Sequence, residues 1–280
     1  MFVLFDAVAQ RPLESQEEAH MASARLFIFQ CGTIRLKMHG IRKDQGGDAL
    51  IDVPVPWFVI EHPAGSIVID GGNAAAVATN ARDYWGPIAE ACVPTMKESE
   101  FCVSAMEAVG LKPTDIRYVF LSHLHHDHTG AIGQFGDAVH VVRRREYEYA
   151  FAPDWFVAPA YVRKDFDKAN LRWEFLDDDL IDFYGDGSIR LVATPGHSPG
   201  HQSFFVNAGQ SGALLLAVDA VPTRDHWERR AQLGLTTSMS EAVRSIEKLR
   251  GLADRSHATL VPGHDPDAWP NFKLAPQAYA

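Results

Sequence analysis

Apolar residues fall in short runs broken by Gly, Pro, Asn and Asp, a rhythm of strands and turns more than of long helices. RLFIFQ at 25–30 and TIRLKM at 33–38 predict two strands around a turn at Cys31 and Gly32. WFVIE at 57–61 and SIVID at 66–70 predict another pair, separated by His62, Pro63, Ala64 and Gly65. YVFL at 118–121, AVHVV at 138–142, IRLVA at 189–193, SFFV at 203–206, ALLLAV at 213–218 and residues 259–261 continue the series. Two segments change to helical spacing. Phe101, Cys102, Ala105, Met106 and Val109 share a helix face that Gly110 ends. Val243, Ile246 and Leu249 share another over 238–249, with Ser240 as N-cap and Gly251 as stop. Strands and helices interleaved in this way predict two β-rich halves covered by helices in one unit.

Composition narrows the class. With 280 residues, 46% hydrophobic and 22% charged, the chain suffices for one large or two ordinary domains and needs no disulfide staple. Its net charge of −10 disfavours a nucleic-acid partner. Arg143, Arg144 and Arg145, the densest basic run, read as a solvated face or a helix start. Cys31, Cys92 and Cys102 are odd in number and form no CxxC pair, which fits a reducing, cytoplasmic setting. No run approaches the roughly 18 apolar residues of a membrane helix. The start has no basic residue ahead of its short apolar stretch, so neither a membrane span nor a secretory signal is expected. Residues 1–24 read either as a loose N-terminal extension or as sequence ahead of a start at Met21, before a single domain over 25–280.

The segment Ser122-His123-Leu124-His125-His126-Asp127-His128-Thr129-Gly130 directly follows the strand at 118–121. Side chains leaving a strand end converge, and imidazole with carboxylate is the donor set that Zn²⁺ and similar cations take. Without a metal, such a cluster buries polar groups and charge with no partners. Further donors stand at other strand ends beside Gly or Pro: His197 and His201 in TPGHSPGH, Asp219 after ALLLAV, and His264 in VPGHD. Each histidine alone is better explained as a core or surface residue; together they predict a metal site.

HxHxDH, then a GH turn, a strand-end Asp and a second GH turn resemble the signature of the metallo-β-lactamase superfamily, from about residue 25 to the end. The resemblance implies an α/β fold, an αββα sandwich with a dinuclear site along one edge. It implies that His123, His125 and His197 hold one divalent ion, that Asp127, His128 and His264 hold the other, and that Asp219 bridges them. Zinc is the family default, with manganese, iron or cobalt as competitors. Asp70 is expected either to fix a ligand histidine or to form the turn before Gly71 and Gly72. His201 is expected beside the ligands, and His126 is not expected to be one.

Residues 51–58, 69–73, 147–156 and 263–269 look like the branch that opens N-acyl-homoserine lactones and γ-butyrolactone. That implies attack on the lactone carbonyl by a hydroxide shared between two metals, with Asp127 orienting it and returning a proton to the leaving alkoxide. In that branch a tyrosine three residues after the bridging aspartate bonds the lactone. Pro222 stands there in this chain, and proline has no donor. His226 or a tyrosine from 147–161 is one replacement, the metals alone are another, and a different substrate is a third. Tyr149, Phe151, Trp155 and Tyr161 belong to an aromatic segment that reads as an acyl-chain wall, as core packing or as a subunit contact. A thioester or other carboxylic-ester hydrolase on the same scaffold is the alternative. Enzymes of the glyoxalase II type, however, carry a glutathione-binding region for which the residues after His264 leave no room. The resemblance makes a homodimer a reasonable expectation. It leaves interference with quorum signalling and use of γ-lactones as a carbon source equally open.

Overall fold

Successive side chains of the first strand, β1 (Arg25–Lys37), enter two different cores. Leu26 and Ile28 join one apolar cluster, and Phe27, Phe29 and Cys31 join another. Its sheet is therefore covered on both faces. The computed structural model describes residues 24–43 and 45–280. The extension expected over 1–24 lies outside the described residues except for Ala24, which is buried between the sheets.

One sheet holds β1, β2 (Leu50–Glu61), β3 (Ser66–Ile69), β4 (Val93–Thr95), β5 (Ile116–Phe120), β6 (Val139–Arg143) and β7 (Arg172–Leu176). The other holds β8 (Leu180–Asp182), β9 (Ile189–Ala193), β10 (Gln202–Asn207), β11 (Ala213–Val218) and β12 (Thr259–Pro262). A last strand, β13 (Ala278–Tyr279), returns to pair with β1. The sheets meet through Ile60, Ile69, Phe120, Leu191, Phe204 and Leu216. Helices α1 (Val77–Trp85), α2 (Ile88–Ala91), α3 (Cys102–Ala108) and α4 (Arg144–Phe151) pack on the outer face of the first sheet. On the second sheet, α5 (Arg224–Glu228) is followed by α6 (Met239–Ser256), whose Ile246, Leu249 and Ala253 cover Val192, Phe205 and Leu215. The layers run helix, sheet, sheet, helix, as the αββα expectation requires. Among the described residues, no helix is long and apolar enough to cross a membrane.

Three local expectations are corrected. The two strands predicted over 25–38 are one long strand. Its pairing with β2 shifts between Gln30 and Thr33, so Cys31 and Gly32 form a bulge that bends the strand without reversing it. Gly32 takes φ +67, and a Cβ there would sit 2.1 Å from the Thr95 carbonyl oxygen. Helix α6 is capped by Ser238, which accepts from the Glu241 N–H, and not by Ser240. It also runs through Gly251, because Ala253 extends the buried stripe and outweighs the roughly 1 kcal/mol cost of a helical glycine. The basic run is a helix start. Arg144 pairs with Asp177 at 3.1 Å and Arg145 with Glu241 at 3.0 Å, while Arg143 is buried and donates to the Asp178 carbonyl.

Strand direction positions the site. β3 and β5 run parallel, and the Asp70 N–H donates to the Phe120 carbonyl, which sets Asp70 beside the segment that follows β5. β9 and β11 each run antiparallel to β10, and β12 runs parallel to β11. The chain therefore leaves β9, β11 and β12 at the same edge of the second sheet.

His140, on β6, is buried with its ring nitrogens engaged by the Gly133 N–H and the Arg172 carbonyl. Burial pushes its pKa down to about 4. The unfolded chain accepts this proton near pH 6.5, so the folded state gains stability above that pH and loses it as pH falls toward 4. We expect a loss of up to about 3 kcal/mol over this window, absent in His140→Gln. Urea titrations across the window check this, and an equal pH slope in the variant would refute it.

Candidate metal centre

The segment after β5 and the turns after β9, β11 and β12 bring seven polar side chains into one buried cleft. Ligand-type atoms within 4.8 Å of one another form three groups: His123 with His125 and His197; His123 with His128 and Asp219; and Asp127 with His128 and His264. All seven residues are buried. Asp219 joins the groups through different oxygens. Its Oδ2 lies 3.3 Å from His197 Nε2, and its Oδ1 lies 3.1 Å from His264 Nε2 and 3.5 Å from His128 Nε2. Asp127 stands 3.7 Å from both His128 and His264 Nε2.

The outer nitrogen of most of these imidazoles is tied down. His128 Nδ1–H donates to Asp70 at 2.9 Å, His264 Nδ1–H to the Pro54 carbonyl at 2.8 Å, and His197 Nδ1–H to the Leu235 carbonyl at 3.0 Å. His123 reaches Asp70 through a relay. Its Nδ1–H donates to Ser122 Oγ at 2.9 Å, and that hydroxyl donates to Asp70 at 2.8 Å. Asp70 therefore holds two of the imidazoles, a role the sequence left level with turn formation. It forms the turn as well, at φ 64. Such bonds fix the tautomer and aim the remaining nitrogen.

For three of the five imidazoles Nε2 has nothing to bond, while His197 Nε2 meets His125 Nδ1 at 2.9 Å and His264 Nε2 lies 3.1 Å from Asp219 Oδ1. Nε2 of His123, His125 and His128 lacks a hydrogen-bond partner, in a place where an unpaired polar atom is costly. Imidazole lone pairs and carboxylate oxygens converging in this way fit a pair of divalent cations. The electrostatics agree for the three-histidine group, whereas His128 and His264, beside Asp127 and Asp219, are both raised. Burial holds His123, His125 and His197 below the usual imidazole range, leaving them neutral as ligands must be. Burial also opposes charge on His128, but Asp127, Asp219 and Asp70 outweigh it and push His128 up to about 10. Burial would raise Asp127 and Asp219, yet the surrounding histidines hold both carboxyls below the usual range.

The other predicted residues fall in different places. His201 is buried behind the cluster, its ring 5.2 Å from that of His123 and its Nδ1 2.8 Å from Thr194 Oγ1. His126 turns away and meets the edge of Trp85 at 4.4 Å. Tyr161 sets its ring edge against His125 at 4.7 Å, but its hydroxyl donates to Glu146. Tyr149 donates to Asp154. Phe151 is half-buried and packs against Tyr147 and Phe166, and Trp155 is 86% exposed. Pro222 is buried, and its carbonyl accepts from the His264 N–H at 2.7 Å. His226 has both ring nitrogens engaged, by Thr223 and by the Ile41 carbonyl. The sequence reading passed over Glu146, a fully buried carboxylate at the edge of the centre. The available signal was its i, i+4 spacing with Ala150, the two inward positions of α4.

Residues 50–264 match the family described as Metallo-beta-lactamase superfamily. The chain is 52% identical over 262 residues to the N-acyl homoserine lactonase AttM of Azorhizobium caulinodans, across 92% of this chain and 100% of that protein. It is 28% identical over 259 residues to the N-acyl homoserine lactonase AiiA of Bacillus thuringiensis subsp. kurstaki, across 92% and 99%. It resembles the solved structure of an N-acyl homoserine lactone hydrolase with the product N-hexanoyl-L-homoserine bound at the catalytic metal center. The TM-score is 0.83 at 27% identity, over 92% of this chain and 100% of that one.

Asp70→Asn keeps the shape of the side chain but weakens its grip on His128 and Ser122. We expect metal affinity about 10–100-fold lower, read by chelator competition, with the circular dichroism of the fold retained. Unchanged affinity would show that Asp70 serves the turn alone.

Proposed function

The chain belongs to the metallo-beta-lactamase superfamily, and from this we propose that it hydrolyses N-acyl-homoserine lactones with two divalent metal ions. It is a hydrolase of lactone ester bonds, like the relatives it matches along most of its length. The observation that carries the reading is Asp219, which turns one oxygen toward each histidine group, the arrangement a bridging carboxylate needs. His123, His125 and His197 would hold one ion, and Asp127, His128 and His264 the other. The nitrogen-rich donor set suits zinc. The bare ring of γ-butyrolactone carries the same scissile ester and is a second expected substrate. Free Cys31, Cys92 and Cys102 fit a reducing, cytoplasmic compartment.

Bound there, two divalent cations supply a water acidic enough to ionise near neutral pH and, with no free donor among Pro222, His226, Tyr149 and Tyr161, the polarisation of the lactone carbonyl. Asp127 acts on the protons. Held ionised by His128, His126 and His264, it orients the attacking water and accepts its proton. As the carbonyl carbon–ring oxygen bond breaks, Asp127 returns that proton to the alkoxide, and the product is the open N-acyl-homoserine. Asp70 keeps His123 and His128 in register while this happens.

Proton release from zinc-loaded protein offered N-hexanoyl-homoserine lactone, γ-butyrolactone and a thioester tests the reading. Chelator-sensitive opening of the acylated lactone is expected. Exclusive thioester hydrolysis would replace it with the alternative ester chemistry. Asp219→Ala is expected to lose metal and activity together, and full metal occupancy in that variant would remove the bridging role.

A further inference from the structure

We propose that Glu146 is the positioning residue of the three-histidine half of the centre: its buried carboxylate clamps the two loops that carry His123, His125 and His197. The inference rests on the reading that these three histidines hold a metal ion.

Glu146 is completely buried, and the groups that act on its carboxylate are neutral hydrogen-bond donors. Neutral donors fill both of its oxygens. Oε1 accepts from the Leu124 N–H at 3.1 Å and the Tyr161 hydroxyl at 3.2 Å. Oε2 accepts from the Ser198 hydroxyl at 2.6 Å and the Gly200 N–H at 3.0 Å. An ionised carboxylate offers about four lone-pair sites, and here all are taken. A proton on either oxygen would meet a donor head-on. Burial pushes the Glu146 pKa up, and these four bonds offset that only in part.

The donors matter for where they sit. Leu124 lies between His123 and His125, and Ser198 follows His197. Tyr161 presents its ring edge to His125. One side chain from α4 therefore joins the segment after β5, in the first sheet, to the turn after β9, in the second. The close approach is built into the sequence: a Cβ on Gly200 would lie 2.2 Å from the Glu146 backbone nitrogen. Gln202 adds a second stitch, its side chain donating to the Leu121 carbonyl at 2.8 Å, but that bond precedes the ligands. None of the four donors belongs to Asp127, His128 or His264.

The clamp acts on one half of the centre, so its loss has a site-selective signature that general destabilisation lacks. Glu146→Gln keeps the volume and turns an NH₂ toward two donors. Metal-free protein is titrated with zinc against a chromophoric chelator that resolves two binding steps, with His197→Ala identifying the three-histidine step. We expect Glu146→Gln to weaken that step about 10–100-fold and to leave the other unchanged. Ser198→Ala, which retains the carboxylate and removes one donor, should weaken the same step by a smaller factor. Equal weakening of both steps, or of neither, overturns the proposal. If Glu146→Gln does not fold, Ser198→Ala and Tyr161→Phe decide the matter, and unaltered first-step affinity in both overturns it. If His197→Ala removes neither step, the ligand assignment itself fails, independently of Glu146.

Discussion

Burying five imidazoles and two carboxylates in one cleft is the constraint around which this molecule is arranged. Polar groups taken out of water must find partners. Here most of the outward-facing atoms find them in protein, while Nε2 of His123, His125 and His128 is left without a partner. Asp70, the Pro54 carbonyl and the Leu235 carbonyl each take one imidazole N–H. Those acceptors come from within or just after two adjacent strands of the first sheet and from the distant segment before α6. A side chain at the centre can therefore be right in identity and still depend on a backbone carbonyl far away in sequence.

The departure at Pro222 illustrates how local geometry redistributes chemical work. The position lends its carbonyl to the His264 N–H, which fixes the turn carrying that imidazole. It contributes to the scaffold and offers no side-chain donor. The nearby groups able to take over a donor's role are committed to structural bonds: Tyr161 to Glu146, His226 to Thr223 and Ile41. On the proposed reading, substrate polarisation then falls to the bound cations, and these side chains contribute by holding the cluster in place.

Much of this was legible in the sequence because the donors sit at strand ends. Apolar runs such as ALLLAV and IRLVA mark their strands at the observed boundaries, and His197, Asp219 and His264 then follow within a few residues. Where the reading failed, tertiary packing decided. Cys31 and Gly32 look like a turn until β2 and β4 are seen to pair with β1 through the bend. Gly251 looks like a stop until Ala253 is found buried against the second sheet. Glu146 was invisible for a different reason. In RRREYEYAF a glutamate reads as one more surface charge, and its burial depends on Leu124, Ser198 and Gly200, which no local pattern brings near it. The aromatic segment after it divides for similar reasons, with Phe151 half-buried against the core and Trp155 outside.

The placement of β12 has a temporal consequence. This strand pairs in parallel with β11, and the chain must first cross back through the whole of α6 to reach it. Pairing of such distant segments is slow compared with local turns. His264, which follows β12, therefore depends on the pairing of longest sequence range in the second sheet. The apolar cores, meanwhile, contain none of the seven donors. Cations held at these donors would add to the persistence of a scaffold that hydrophobic packing builds, by mass action.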